Sequence, residues 1–149
     1  MDLQAALGLE QVKKLPDLDA ARRKNFKLLS DIFKPYEKYL HLPKATDKAD
    51  PCWFGYLMTV RPDAPFTKQD LVAWLEQNRI QTRSYFAGNV LYHPGYSELA
   101  EQYEDLNLEF PIAKTVTTNS FFLGTFIGIS EEKMNYIDNA VSRFFEAMT

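Results

Sequence analysis

Trp53-Phe54-Gly55-Tyr56-Leu57-Met58-Thr59-Val60, the run WFGYLMTV, is where the fold of this chain is decided. Aromatic and β-branched side chains fit a pleated, half-buried surface, so the run predicts a strand. Arg61-Pro62-Asp63-Ala64-Pro65 turns the chain after it. Thr67 stands three positions before Asp70, a near match to a capping box, and Leu71, Val72, Trp74 and Leu75 follow. Together they predict a helix, closed by Asn78-Arg79. A second strand is expected over Ile80 to Phe86, and a third over Ser120-Phe121-Phe122-Leu123-Gly124-Thr125-Phe126. The last run hardly alternates and is expected to be covered on both faces. Trp53 and Trp74 are expected in the core.

Upstream of this centre, Leu3, Ala6, Leu7 and Val12 recur at helical spacing until Pro16, which is expected to break or restart the helix. From Asp17 a second stripe of Leu18, Ala21, Phe26, Leu29, Ile32 and Phe33 runs to Pro35. A polar surface connection follows from Tyr36 to Pro51, with a short extended piece at Leu40 and Leu42. Downstream, Ser97 to Tyr103 predicts a short helix and Glu104 to Lys114 an irregular connection or edge segment, with Thr115 to Thr118 leading into the third strand. Ser130 caps a last helix whose first turn holds Glu131 and Glu132, where the macrodipole favours negative charge. Met134, Ile137, Val141, Phe144 and Met148 mark its buried stripe. The fold class expected is α+β, a two-layer α/β sandwich with a small, mostly antiparallel sheet covered by helices and an N-terminal helical pair. It makes a single domain over residues 1–149, with helices in 1–35 and the sandwich in 36–149.

The chain's 149 residues suffice for one core without staples, and 46% apolar with 14% aromatic residues is a globular composition. A net charge of −3 offers no field for nucleic acid or anionic lipid, and the basic run Arg22-Arg23-Lys24 with Lys27 reads as a solvated helix face. The single Cys52 excludes an internal disulfide, fits a cytoplasmic location, and is expected to be a packed, inert thiol. No signal peptide is recognised at the start, and the apolar run Phe121 to Ile129 is too short to cross a bilayer.

Polar chemistry concentrates in Thr82 to Tyr96, TRSYFAGNVLYHPGY, where Arg83, Asn89, His93 and Tyr96 surround the flexible Ala87-Gly88 pair. Arg83 is the best donor for a phosphate, since its planar fork holds two oxygens. The plain alternative is that Arg83 pairs with a carboxylate and His93 tips a loop. Tyr85, Phe86, Tyr92 and Tyr96 form either a stacking wall or part of the core. His41, His93 and Cys52 have no ligand spacing, so no metal is expected, and the glycines form neither a P-loop nor a GxGxxG pattern.

Several stretches together resemble the C-terminal part of the DegT/DnrJ/EryC1/StrS group of pyridoxal-phosphate (PLP)-dependent sugar aminotransferases, in particular its nucleotide-sugar 3-dehydrase branch in lipopolysaccharide deoxysugar synthesis. Asp2-Leu3-Gln4-Ala5-Ala6-Leu7-Gly8-Leu9 resembles the family's DxQAAxGL helix, and Ala21-Arg22-Arg23-Lys24-Asn25-Phe26 its ARRxNF helix. Asp50-Pro51-Cys52-Trp53-Phe54-Gly55 resembles DPSWFG with Cys for Ser. Ala64-Pro65-Phe66 with Leu71-Val72 and Leu75-Glu76 resembles APFxxxxLVxxLE, and Thr82-Arg83 with Phe86-Ala87-Gly88-Asn89 resembles TRxxFxGN. His93 stands where the family often has glutamine, and Gly124-Thr125-Phe126-Ile127-Gly128 where it has a GVYPG turn.

The resemblance implies the small C-terminal domain of a fold-type I enzyme, with Arg83, Asn89 and His93 on the substrate side of a nucleotide-sugar site. In the family the Schiff-base lysine, or the histidine that replaces it, lies upstream of the DxQAAxGL helix. No catalytic or cofactor-binding residue is therefore expected here, although PLP or pyridoxamine phosphate (PMP) is implied for the full-length family. Iron-sulfur ligands are not expected either, with one cysteine where clusters want four. Three readings follow. The first is a freestanding domain, inactive alone, that self-associates through its N-terminal helices or meets a separate large domain. The others are the small subunit of a split PLP/PMP enzyme and a non-catalytic nucleotide-sugar binding module.

Overall fold

The computed structural model describes residues 2–148. WFGYLMTV forms β2 (Gly55–Val60), whose Tyr56, Met58 and Val60 are buried while Gly55, Leu57 and Thr59 alternate with them. It is flanked by the short β1 (Leu40–His41) and by β4 (Ser120–Gly124), and β4 is flanked in turn by β3 (Thr82–Ser84). All pairs are antiparallel, in the spatial order β1-β2-β4-β3, so β3 is an edge. Residues paired across strands share a face. One face therefore carries Leu40, Tyr56, Met58, Val60, Phe121 and Leu123, and the other carries Leu57, Phe122 and Arg83.

Helices cover the first face. The core joins these strand residues to Leu29 and Phe33 of α1 (Asp2–Phe33), Leu71 and Leu75 of α2 (Lys68–Gln77), and Met134, Val141, Phe144 and Phe145 of α6 (Glu131–Ala147). The capping box at Thr67 is present, with Asp70 N–H donating to Thr67 Oγ1 at 3.2 Å and Thr67 N–H to Asp70 Oδ2 at 2.8 Å. Ser130 likewise accepts from the Lys133 N–H at 3.3 Å to start α6. Short helices α3 (Ser97–Ala100) and α4 (Leu106–Glu109) lead to α5 (Pro111–Asn119), which contacts β2 and β4.

Four local expectations are corrected. The break at Pro16 does not occur: α1 is one helix of 32 residues, about 48 Å long at 1.5 Å per residue. Residues 2–17 are exposed throughout, so the carbonyl that Pro16 leaves without an amide partner faces water. Glu104 to Thr118 is largely helical, because Pro111 opens α5 at a position where its missing N–H costs nothing. The second strand shrinks from Ile80–Phe86 to three residues, since Arg79 turns with φ 58° and Phe86 with φ 46°. Cys52 is exposed and Trp53 and Trp74 are half-buried: Trp53 stacks on Phe26 at 4.1 Å, and Trp74 Nε1 donates to the Ala140 carbonyl at 2.9 Å.

Candidate functional site

Two latches position Arg83. Glu76 Oε1, on α2, accepts from the Thr82 N–H at 2.6 Å and the Thr82 hydroxyl at 2.8 Å, fixing the entry to β3. These bonds, the backbone N–H first, hold the Glu76 carboxyl below its usual pKa. On its other side Arg83 is in register with Phe122 of β4. The Arg83 side chain is exposed on the sheet face that α1, α2 and α6 leave open, and no hydrogen bond or ion pair among the described residues uses its guanidinium.

Three phenylalanine rings lie on that face, one of them Phe122, the cross-strand partner of Arg83. Phe122 lies 5.8 Å from Phe54 and 6.2 Å from Phe86, centroid to centroid, which makes a row of rings across the sheet. Phe54 and Phe86 are 63% and 74% exposed, so the row is surface rather than core. Gly55 makes the row fit, because a Cβ there would come within 2.6 Å of the Phe122 ring. The Arg22 guanidinium sits 6.0 Å over Phe54, and Arg23 pairs with Asp19 at 2.8 Å and with Asp50. The basic run of α1 is thus partly pinned to the protein rather than wholly solvated. An exposed aromatic row beside a free guanidinium can stack a flat ring and hold an anionic oxygen.

The loop after β3 is held from behind by α5. Thr117 Oγ1 accepts from the Asn89 N–H at 2.7 Å and donates to the Ala113 carbonyl at 2.7 Å, while Lys68 Nζ donates to the Thr117 carbonyl at 3.0 Å. Gly88, at φ 62°, packs so tightly on this threonine that a Cβ would meet Oγ1 at 2.4 Å. Asn89 is 5% exposed, and its Oδ1 accepts from the Leu91 N–H at 3.1 Å. Its side-chain amide nitrogen has no partner among the described residues. His93 is exposed, and its Nε2 lies 3.1 Å from the Ala87 carbonyl, closing the loop on itself. Tyr92 donates to Asn107 Oδ1 at 2.7 Å and Tyr96 is 48% exposed. The loop brings Asn89 and His93 together around Ala87-Gly88, but no hydrogen bond of the described residues ties Arg83 to either.

Sequence reasoning missed Thr117, Phe54 and Phe122. Thr117 was hidden by the β-branched run Thr115 to Thr118, which reads as an approach to a strand. The phenylalanine row is visible only in the fold: Phe54 precedes β2, and strand alternation would have put it on the face of Tyr56, whereas it packs against Phe122. Hydrogen bonding to Asp19, then desolvation, push the Cys52 thiol pKa up, which disfavours the thiolate. No group of three His, Cys, Asp or Glu among the described residues could hold a metal ion.

A small antiparallel sheet with helices packed on one face, and a leading helix whose first half is exposed, makes an α+β fold. The DegT/DnrJ/EryC1/StrS aminotransferase family model matches residues 1–142, and the chain belongs to that family. A dTDP-4-dehydro-2,6-dideoxy-D-glucose 3-dehydratase of Saccharopolyspora spinosa is 36% identical over 143 residues, covering 96% of this chain and 30% of the relative. The lipopolysaccharide biosynthesis protein RfbH of Salmonella typhimurium is 30% identical over 144 residues, covering 97% and 32%. An Escherichia coli GDP-4-keto-6-deoxy-D-mannose-3-dehydratase solved with bound hydrated PLP superposes with a TM-score of 0.74 at 25% identity, over 91% of this chain and 34% of that one. The chain thus spans about a third of the length of the relatives it matches.

The residues present do not fit the family's cofactor. Lys68 is the one lysine that is not exposed among those described, and burial lowers its pKa, but its Nζ is committed to the Thr117 carbonyl. The Asp70 carboxylate, two residues on from Lys68, is engaged by the Thr67 N–H and hydroxyl.

Proposed function

We propose that this chain is the equivalent of the small C-terminal domain of a PLP- or PMP-dependent nucleotide-sugar 3-dehydratase or aminotransferase, and that alone it catalyses nothing. Its role in this reading is assembly, with a contribution to the nucleotide-sugar side of a site that a cofactor-bearing large domain completes. The observation that carries the proposal is the open sheet face, where the exposed Arg83, in no ion pair among the described residues although its charge acts on Glu76, shares the face with the Phe54-Phe122-Phe86 row. A nucleotide-sugar has the matching parts, a diphosphate for the guanidinium and a flat base for the rings. Asn89, through its unpaired amide nitrogen, and His93 complete the candidate substrate-side residues.

The assembly part rests on α1. Leu3, Leu7, Leu9, Val12 and Leu15 are all 56–77% exposed along a helix half in which residues 2–17 are all exposed. Exposed apolar patches of this kind mark interaction sites. The partner is a large domain of the same family or a second copy forming a dimer. The lone Cys52 supports the cytoplasmic location proposed with it.

Titration calorimetry with dTDP-, CDP- and GDP-hexoses, on wild type and Arg83→Ala, tests the binding part. Binding of at least one sugar nucleotide is expected, weakened about tenfold or more without the guanidinium. Equal heats for the two proteins would remove Arg83 from the site.

A further inference from the structure

A separate cavity of about 370 Å³ lies on the other side of the sheet, between the end of α2, the outer end of β4 and the start of α6. Ligand pockets begin at about this size. Ile80 and Leu123, 8% and 3% exposed, form its floor, and Ile129 and Ile137 line its walls. Leu123 belongs to the helix-covered face, so this cavity is distinct from the open face that bears Arg83.

Arg79 and Lys133 both border the cavity, and no carboxylate lines it. The chain as a whole carries a net charge of −3, so this pairing of cations is local. Lys133 is held in place by its 3.1 Å bond to the Gly128 carbonyl. Arg79 adopts φ 58° just past α2, a position glycine usually takes, with its N–H donating to the Glu76 carbonyl at 2.9 Å. Among the described residues nothing bonds its guanidinium. An apolar floor under two uncompensated cations matches a ligand with an apolar body and one anionic head.

We propose that this cavity binds a small aromatic or branched-chain carboxylate, with the hydrocarbon against Ile80, Leu123, Ile129 and Ile137 and the carboxylate between Arg79 and Lys133. The test uses 3-phenylpropionate and its uncharged counterpart 3-phenylpropanol, titrated into the ¹⁵N-labelled full chain and followed by amide chemical shifts. The acid is expected to shift the amides of Ile80, Gly124, Ile129 and Ile137 saturably. The alcohol is expected to bind about fivefold to tenfold more weakly, and the Arg79→Gly/Lys133→Gln variant to lose the acid's affinity by a similar factor. Glycine suits the Arg79 backbone, so an unchanged unfolding midpoint confirms that the variant is folded. No saturable shift at millimolar acid, or equal affinity for acid and alcohol, overturns the assignment.

Discussion

Single side chains set the shape of the candidate site through bonds that link distant segments. Asn25 is 4% exposed and donates Nδ2 to the Phe126 carbonyl at 2.7 Å, while Thr125, fully buried, donates Oγ1 to the Trp53 carbonyl at 2.6 Å. They tie the segment leaving β4 to the body of α1 and to the residue before Phe54. Replacing Asn25 by Leu removes the donor to the Phe126 carbonyl from a buried position, so unfolding in urea is expected to show a loss of about 1–3 kcal/mol. Gly88→Ala is expected to cost about 1–2 kcal/mol, because alanine pays for φ 62° and its methyl meets Thr117. The same variant should disturb the amide signals of residues 86–93 while leaving those of β2 in place, which separates a loop effect from a core effect. Asn25 was legible as part of a motif, but its partner 101 residues away was not. Sequence spacing carries no information about a hydrogen bond that the fold alone brings together.

At the scale of elements, the most legible pieces were those whose local chemistry and tertiary setting agree. The Thr67 capping box formed as read, and so did the α6 stripe at Met134, Ile137, Val141 and Phe144, whereas Met148 caps the helix and is exposed; Thr67→Ala is expected to lower stability by about 1 kcal/mol in denaturant unfolding. Where the two conflict, tertiary setting won: Thr115 to Thr118 has strand-like residues but sits in α5, which Pro111 opens and which Lys68 and the Asn89 N–H engage through Thr117. Proline misled in the opposite sense at position 16, since an exposed helix resolvates the freed carbonyl. The N-terminal half of α1 yields a prediction of its own. Leu3→Glu with Leu7→Glu is expected to leave unfolding free energy within about 0.5 kcal/mol of wild type, because neither side chain is buried. Light scattering of the same variant is expected to show a smaller assembly than wild type, and an unchanged mass would remove α1 as an assembly surface.

For the whole molecule, acid sensitivity follows from carboxylates held down by donors. Glu76, Asp70 and Asp105 all have lowered pKa values, each caused first by a backbone N–H, at Thr82, Thr67 and Asn107 respectively. A depressed carboxyl contributes stability above its unfolded pKa of about 4 and loses it as pH falls through the folded value. The melting temperature is therefore expected to hold near neutral pH and to fall on acidification below about pH 4. Glu76→Gln should flatten part of that fall, since a neutral amide oxygen still accepts from Thr82 without titrating.

Function divides along the same line as stability. In the proposed reading the open face serves recognition and the exposed half of α1 serves assembly, while the one lysine among the described residues that is not exposed bonds the Thr117 carbonyl and so holds a loop. The most direct measurement is a mass-spectrometric assay of a nucleotide-linked 4-keto-6-deoxyhexose incubated with PMP and this chain as the sole protein. The account predicts that the sugar nucleotide is recovered intact. Loss of water from the sugar, at a rate proportional to the amount of chain added, would contradict it.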